Sequence, residues 1–348
     1  MKPLFSLVLF VLSVLSIGST ACGALGAEPK LLNIAWTGGS NLTALPDRVA
    51  MERGFFEAEG LKPRYIQLQG TNLMLNALLS NEIDYVRIVP FIAGAATRGL
   101  PVKVIAALTK SGGYSIISRS DIASVKDLKG KRIAINTFGS SADFAIYQLL
   151  SRNGLDPNKD VTLLSIAGSP DARFAALIGG SADATVVNSP FEYRAEQMGF
   201  KILLGAKETA EYVKIPTSGL STSQRKIDRE PDEIVRMLRA LRKAMLFLQN
   251  QRDISIGLME KILKVDRPVA ERFYAVYLEQ FNPDLTVPDS AVEEWIGVGT
   301  FRGKEKIIAK PQQVVDWTFA ERAHAIIRSK DLSTKAQLQK PSLDPELS

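Results

Sequence analysis

An internal repeat limits the folds that are open to this 348-residue chain. Residues 77–84 read ALLSNEID, and residues 176–183, which lie 99 positions further along, read ALIGGSAD. A Pro-Phe pair follows each copy, at residues 90–91 and 190–191. Chance recurrence is the alternative, because α/β proteins use the helix-turn-strand unit many times. We favour a true repeat, which predicts two similar lobes.

Short apolar strands alternate with longer helical patterns through both copies. The first copy predicts strands at residues 31–36, 63–68 and 83–86, and the second begins with a strand at 132–136. Such alternation is typical of parallel sheets covered by helices on both faces. From residue 231 to about residue 327 the apolar spacing becomes helical. The sequence therefore predicts an α/β protein with two parallel-type sheets and a helical C-terminal region. The predicted helices include residues 46–59, 141–153 and 312–328.

The first 27 residues predict export. Lys2 precedes an apolar stretch at residues 4–17, and small residues follow as far as Ala27. This stretch is shorter than the ~18 to 20 residues that a helix needs to cross a bilayer, so it is typical of a signal peptide. An ordinary signal peptidase would cut after a small residue such as Ala27. A lipoprotein peptidase would instead cut before Cys22 and leave that thiol to carry a lipid.

The composition excludes several classes of protein. The chain has 43 Lys plus Arg, 37 Asp plus Glu, one Cys and one His. A net charge of +6 without a dense basic run does not favour nucleic acid as a partner. One Cys and one His cannot form an intramolecular disulfide or a His/Cys zinc or iron-sulfur site. We therefore expect no cofactor and no metal.

Five motifs occur in a fixed order along the chain. They are RGFFEAEGL at residues 53–61, NEIDY at 81–85, RGLPVKV at 98–104, SVKDLKGKRIA at 124–134 and GLDP at 154–157. No single motif is specific, but the ordered set resembles the solute-binding proteins of ABC importers in the nitrate, sulfonate, taurine and thiamine-precursor group. The resemblance covers residues 31–205 motif by motif and the helical remainder in outline.

The resemblance implies a two-lobed periplasmic-binding-protein clamshell in which the second lobe is inserted into the first. The implied parts are a signal peptide at 1–27, lobe one at 28–119 plus 216–327, lobe two at 120–215 and a polar tail at 328–348. The chain would cross between the lobes near Ser120 and near Ile215. Two crossings allow the lobes to close by hinge rotation on a ligand that contacts both.

Ligands of open parallel sheets bind at the carboxyl ends of the strands. The loops at those ends are rich in Gly, Ser, Thr and Asn, and each precedes a predicted helix whose free amides and positive dipole end suit an anion. The alternative to a ligand-binding role is a helix N-cap for each hydroxyl or amide side chain. For the aromatic residues the alternative is a place in the hydrophobic core. The predicted ligand-binding residues are Trp36, Thr37, Gly38, Ser40, Thr71, Asn72, Arg87, Tyr114, Thr137, Phe138, Gly139, Ser140, Ser141 and Asn188.

Arg87 is the strongest single candidate among these predicted ligand-binding residues. A guanidinium at a strand end would offer two parallel donors to a planar acid group. The alternative is a structural salt bridge, for which Asp84 is the candidate partner. Asp143 stands three residues after Ser140, which resembles a capping box that would occupy the same amides. Either Asp143 is structural or the ligand carries an amine.

The sequence does not support an enzymatic function. Ser140 and Ser141 lack the flanking glycines of a nucleophile elbow, and His324 lies among apolar residues of the last predicted helix. A relative of this fold makes the thiamine pyrimidine with an active-site His and clustered cysteines, which the cleft loops lack. We predict a monomeric periplasmic protein that binds a small, anionic organic solute and delivers it to the membrane permease of an ABC importer. A ligand-presenting subunit for a membrane sensor is the alternative.

Overall fold

The structure is a computed structural model that describes residues 28–37, 42–188, 191–213, 215–300 and 308–330. The predicted leader with Cys22 and the candidate residues Gly38 and Ser40 lie outside the described residues, as does the chain from residue 331 onward. The last described helix reaches Lys330, past residue 328, where the polar tail was predicted to begin.

The described residues contain ten strands in two five-stranded sheets. The first sheet has the strand order β2-β1-β3-β10-β4 and the second the order β7-β6-β8-β5-β9. β10 and β5 run antiparallel to their neighbours, and the other pairs are parallel. The strands are β1 Lys30–Trp36, β2 Leu61–Gln67, β3 Tyr85–Val86, β4 Val102–Ala107, β5 Tyr114–Ser118, β6 Arg132–Ile135, β7 Thr162–Ser165, β8 Ala184–Asn188, β9 Lys201–Leu204 and β10 Gly219–Ser223.

Helices cover the sheets. None of the helices within the described ranges has the length and apolar composition needed to cross a membrane. The helices are α1 Leu45–Glu52, α2 Thr71–Leu79, α3 Pro90–Thr97, α4 Ser141–Arg152, α5 Pro170–Ile178, α6 Phe191–Gln197, α7 Ala206–Tyr212, α8 Gln224–Arg229, α9 Pro231–Asn250, α10 Arg252–Leu263, α11 Arg267–Gln280, α12 Asp289–Thr300, α13 Pro311–Val314 and α14 Thr318–Lys330.

The longest helix, α9, shows how the sequence builds these elements. Pro231 occupies the first turn, where its missing amide hydrogen is not needed, and Asp232 follows at the positive end of the helix dipole. Leu238, Leu241 and Met245 then recur at helical spacing and are fully buried. They share one core with residues of β1, and each such side chain stabilises the fold by about 1.5–3 kcal/mol.

The repeat in the sequence is a repeat in the structure. In the first sheet the Asn33 amide donates to Oδ2 of Asp84 (2.8 Å), and the Asp84 amide donates to the Asn33 carbonyl (2.9 Å). In the second sheet Arg132 and Asp183, each 99 positions later, make the same two bonds at 2.9 and 2.8 Å. Hydrogen bonds from the Arg132 side chain, opposed by burial, hold the pKa of Asp183 below its ordinary value. The predicted pair of similar α/β lobes is therefore confirmed.

In each lobe the antiparallel strand is the first strand after a connection between the lobes, β5 in lobe two and β10 in lobe one. β5 pairs with β8 and β9 in the second sheet, whereas the sequence analysis placed it in lobe one, which was to end at residue 119. The first connection therefore runs through residues 108–113 rather than near Ser120. The reason is that sheet membership depends on hydrogen-bonded pairing, which the composition of a strand does not encode. The second connection, which follows α7 and precedes β10, lies close to the predicted Ile215.

Two predicted helices are each interrupted. The helix expected at residues 46–59 ends at Glu52, because Gly54 takes a left-handed backbone with a φ of 68°. The helix expected at residues 312–328 is divided into α13 and α14, because Val315 leaves the helical path and forms a parallel bridge with Val104 of β4. The extra bridge attaches the C-terminal helices to the edge strand of the first sheet.

Candidate functional site

A cavity of about 100 Å³ lies between the two lobes at the carboxyl ends of their parallel strands. It is far smaller than the ~300–1,000 Å³ of sites for drug-sized ligands, so its occupant is small. From lobe one it is lined by Thr37, Thr43, Thr71, Arg87, Ile88, Val89, Pro90, Phe91, Thr217 and Ser218. From lobe two it is lined by Tyr114, Asn136, Ser140, Ser141, Ala142, Gly168, Pro170, Arg173 and Asn188.

Half of the predicted ligand-binding residues meet at this cavity, and they come from both lobes. They are Thr37, Thr71, Arg87, Tyr114, Ser140, Ser141 and Asn188. The rule that ligands bind at carboxyl ends of parallel strands therefore selects loops that meet at a cavity, and their role in binding stays a prediction. It does not separate the residues that face the cavity from their neighbours in the same loops.

Five other predicted residues do not line the cavity. Trp36 packs edge-on against Tyr65 with 5.6 Å between ring centroids, and the next residue, Thr37, lines the cavity in its place. Asn72 is exposed on α2. Thr137, Phe138 and Gly139 form the turn that leads from β6 to α4.

That turn lies at the contact between the lobes rather than in the cavity wall. The hydroxyl oxygen of Thr137 is 3.4 Å from that of Thr71 in lobe one. Phe138 is 52% exposed, so it does not form an aromatic wall for a buried ligand. Gly139 has a φ of 80°, a left-handed conformation that favours glycine at this position.

Arg87 is held by a buried ion pair. Its Nη2 lies 2.9 Å from Oδ2 of Asp47, and the two side chains are 6% and 3% exposed. The same guanidinium donates to the carbonyls of Thr43 and Gly219. The predicted partner, Asp84, instead pairs with Lys226 at 2.9 Å. Arg87 therefore reaches the cavity but is already neutralised by an acid on α1.

Arg173 is the functional candidate that the sequence analysis missed. It lies on α5, lines the cavity and is 3% exposed. Its Nε donates to the carbonyl of Val186 (3.1 Å), and its Nη1 donates to the carbonyl of Gly168 (3.4 Å). Both partners are neutral, and no carboxylate within 4 Å pairs with it among the described residues. Burial, opposed by Tyr114 and Asp171, lowers the pKa of Arg173 to about 10, so the group remains charged at neutral pH.

Comparison of the two copies of the repeat indicates that Arg173 is a candidate functional residue. The residue 99 positions earlier is Met74 of α2, a fully buried core residue. Arg173 also lies three residues after the buried Pro170 and four before the buried Leu177, on the inner face of its helix. A charged residue at a core position of a repeat indicates a function, because an unpaired buried charge is strongly destabilising.

Other hydrogen-bond donors of lobe two line the same cavity as Arg173. Tyr114 is buried and hydrogen-bonded to Ser141, and burial raises its pKa, so its hydroxyl stays protonated. Phe144 makes the first helical hydrogen bond of α4, to the Ser140 carbonyl, so the amides of Ser141 and Ala142 lie before it. These groups provide hydrogen-bond donors at the start of α4, which suit an anion.

Asp143 is structural. It is fully buried, and its Oδ2 accepts from the Gly139 amide (2.8 Å), while its own amide donates to the Ser140 hydroxyl (3.3 Å). This arrangement resembles the expected capping box, except that the acid binds the amide one residue before the cap. The carboxylate does not line the cavity, so it gives no reason to expect an amine on the ligand.

Comparison with known proteins identifies the family. A family profile described as "NMT1/THI5 like" matches residues 41–253. A protein of Bacillus subtilis (strain 168) with the name "Putative aliphatic sulfonates-binding protein" is 30% identical over 332 residues, which cover 91% of this chain and 96% of that protein. The chain belongs to the NMT1/THI5-like family. The resemblance seen in the ordered motifs is therefore confirmed.

Solved structures similar to this NMT1/THI5-like chain confirm the fold. The periplasmic nitrate-binding protein NrtA from Synechocystis PCC 6803 matches with a TM-score of 0.69 and 15% identity, over 90% of this chain and 91% of that one. The alkanesulfonate-binding protein SsuA from Xanthomonas axonopodis pv. citri, bound to MOPS, matches with a TM-score of 0.64 and 21% identity, over 82% of this chain and 96% of that one. The periplasmic-binding-protein clamshell is thus the fold of the chain.

Proposed function

We propose that this chain is an exported binding protein that captures a small anion between its lobes without making or breaking a covalent bond. Arg173 carries the proposal. Among the described residues its hydrogen-bond partners are carbonyls, and such a buried guanidinium is stabilised when an anion supplies negative charge. The start of α4 and the hydroxyls of Tyr114 and Ser141 add neutral donors beside it.

The ligand that these features support best is an aliphatic sulfonate or an acid of similar size. The relative that is 30% identical is named for aliphatic sulfonates. Guanidinium groups bind such oxygens through parallel hydrogen bonds, and the small cavity favours a short carbon chain. Contacts from both lobes would stabilise the closed arrangement, because a ligand shifts a conformational equilibrium only through differential contacts.

We propose that the partner is the permease of an ABC importer in the cytoplasmic membrane. This chain would deliver the ligand to the permease as a monomer. The signal peptide predicted at residues 1–27 supports a periplasmic location, and Cys22 remains a candidate for lipid attachment. Presentation of the ligand to a membrane sensor would use the same cavity and remains the second candidate.

A catalytic role receives no support from the cavity. A synthesis enzyme of the thiamine-pyrimidine type would need a His at the site, but His324 lies on α14, near Asp284 and away from the cavity. The lining contains two arginines, hydroxyls, amides and apolar groups, which bind and orient an anion. We propose that the protein is not an enzyme.

Calorimetric titration with ligands matched in size tests the proposal. We expect ethanesulfonate to bind with a Kd of about 1–100 µM, since about six heavy atoms at up to ~1.5 kcal/mol each limit so small a ligand to near-micromolar affinity. Ethylammonium, of similar size and opposite charge, should give no measurable binding. Equal binding of the cation, or no binding of ethanesulfonate, nitrate or any other small anion, would contradict the proposed function.

A further inference from the structure

The accessible apolar surface of the cavity is concentrated in one short segment of lobe one. Residues 88–91 read IVPF, connect β3 to α3, and all line the cavity. Ile88 and Phe91 are only partly buried, so they present apolar surface to the space between the lobes. The apolar side chains that lobe two adds, Ala142 and Pro170, are both buried. The carbon chain of a ligand therefore finds its apolar partners mainly on the lobe-one side.

Phe91 has the largest side chain of this segment, and its ring reaches lobe two. The ring lies 4.0 Å from the position that a Cβ on Gly139 would occupy, in the turn between β6 and α4. That is a contact distance, and the contact joins the two lobes. Because the ring approaches lobe two and keeps accessible surface, it bounds the space that is left for a ligand when the lobes are together.

The equivalent phenylalanine of the second copy is enclosed in the core of lobe two. Phe191 follows the second copy of the repeat as Phe91 follows the first, but it is 1% exposed. It packs edge-on against Phe174 with 5.6 Å between ring centroids. The residue 99 positions before Phe174 is Leu75, so lobe one has no aromatic partner at the corresponding place. The position of Phe91 at the cavity is thus a feature of lobe one and not of the repeat.

The groups that would hold an acid come from the opposite lobe. Arg173 and the start of α4 belong to lobe two, while the guanidinium of Arg87 in lobe one is already neutralised by Asp47. An acid group gains most beside Arg173, whose hydrogen-bond partners among the described residues are carbonyls. The carbon chain of that ligand then extends toward lobe one, where burial of apolar surface is favourable. In this orientation the end of the chain meets Phe91.

We infer that Phe91 determines specificity by limiting the length of the carbon chain that the closed cavity accepts. The inference rests on the proposed function, since it requires that the acid group binds beside Arg173. A longer chain would displace the phenyl ring from its contact with Gly139, and a ligand that prevents closure loses the contacts made only in the closed arrangement. The substrate class is accordingly a sulfonate or similar acid with an unbranched chain of about one to three carbons, in keeping with the small cavity.

Calorimetric titration of two alkanesulfonates with the full chain tests this inference. Ethanesulfonate and butanesulfonate carry the same acid group and differ only in chain length. We expect the wild type to bind butanesulfonate at least about tenfold more weakly, because overfilling a close-packed site is unfavourable. Phe91→Ala should reverse this order, since each buried methylene group then increases the affinity by roughly fourfold. Butanesulfonate should therefore bind this variant at least about threefold more tightly than ethanesulfonate.

Two further variants relate the result to the cavity. Phe91→Leu changes the volume less than Phe91→Ala and should reduce the wild-type preference for ethanesulfonate to about threefold or less, which tests the inference even if the alanine variant does not fold. Leu278→Ala removes a side chain that is 40% exposed on α11, outside the cavity, and should keep the wild-type preference.

Some outcomes would overturn this inference alone. They are equal affinities or tighter binding of butanesulfonate in the wild type, and a preference for ethanesulfonate that persists unchanged in the Phe91 variants. In each case sulfonate capture itself would still be observed. If the wild type binds neither sulfonate, the proposed ligand and this inference are both wrong.

Discussion

Arg173→Met should remove ligand binding and leave the fold intact. The variant replaces the buried guanidinium with the residue that the repeat has at the equivalent position, Met74, which is fully buried in lobe one. Removing one member of a buried charge pair weakens binding by about 2–5 kcal/mol, so we expect the Kd for ethanesulfonate to rise at least about 30-fold. In the ligand-free protein Arg173 pairs with no carboxylate among the described residues, so its removal leaves no uncompensated buried charge and should change the unfolding free energy little. The two measurements are calorimetric titration and urea unfolding without ligand.

The control for this variant is Arg194→Met in the same lobe. Arg194 lies on α6, is about half exposed and does not line the cavity. Its substitution should change the Kd by less than twofold. If Arg173→Met binds ethanesulfonate as the wild type does, Arg173 serves the packing of lobe two and the proposed anion site is wrong.

Arg87→Met should destabilise the ligand-free protein strongly. The substitution leaves Asp47, which is 2% exposed, with a hydrogen bond from Tyr65 (2.6 Å) but without its cation. Breaking a buried ion pair by removing one partner costs about 3–5 kcal/mol of unfolding free energy. Urea unfolding of the ligand-free protein measures that loss.

A double variant distinguishes the ion pair from a ligand site. Arg87→Met combined with Asp47→Leu removes both charges and should recover more than half of the lost stability, because the uncompensated buried charge is gone. If Arg87→Met instead unfolds like the wild type but no longer binds ethanesulfonate, Arg87 contacts the ligand, and the pairing with Asp47 is of minor energetic importance.

The fold could be predicted because the strand and helix patterns that define it are local in sequence and occur twice. The 99-residue repeat contains the paired strands that Asn33 and Asp84 join in lobe one and that Arg132 and Asp183 join in lobe two. Sheet membership of β5 could not be predicted, since its partners β8 and β9 are distant in sequence and its apolar pattern suits either sheet. Gly54 and Val315 interrupted predicted helices through a left-handed backbone and a long-range bridge.

The loops that line the candidate site could be predicted from the sequence, but its buried charge could not. Ser140 and Tyr114 line the cavity because strand ends and helix starts meet there. Arg87 has the right position, but its partner Asp47 lies 40 residues away on a helix with no recognisable motif. Arg173 lies inside a helix rather than in a loop, so a rule based on loops could not select it. Comparison of Arg173 with Met74, its equivalent in the first copy of the repeat, would have identified Arg173 as a candidate.

The most direct test of anion capture is a crystal structure of the protein with ethanesulfonate. The account predicts that the sulfonate oxygens lie within about 3.2 Å of the Arg173 guanidinium and the amides at the start of α4. It also predicts that the ligand contacts lobe one through residues such as Thr71 and Phe91. A sulfonate bound outside the cavity, or bound inside it without a contact to Arg173, would contradict the account.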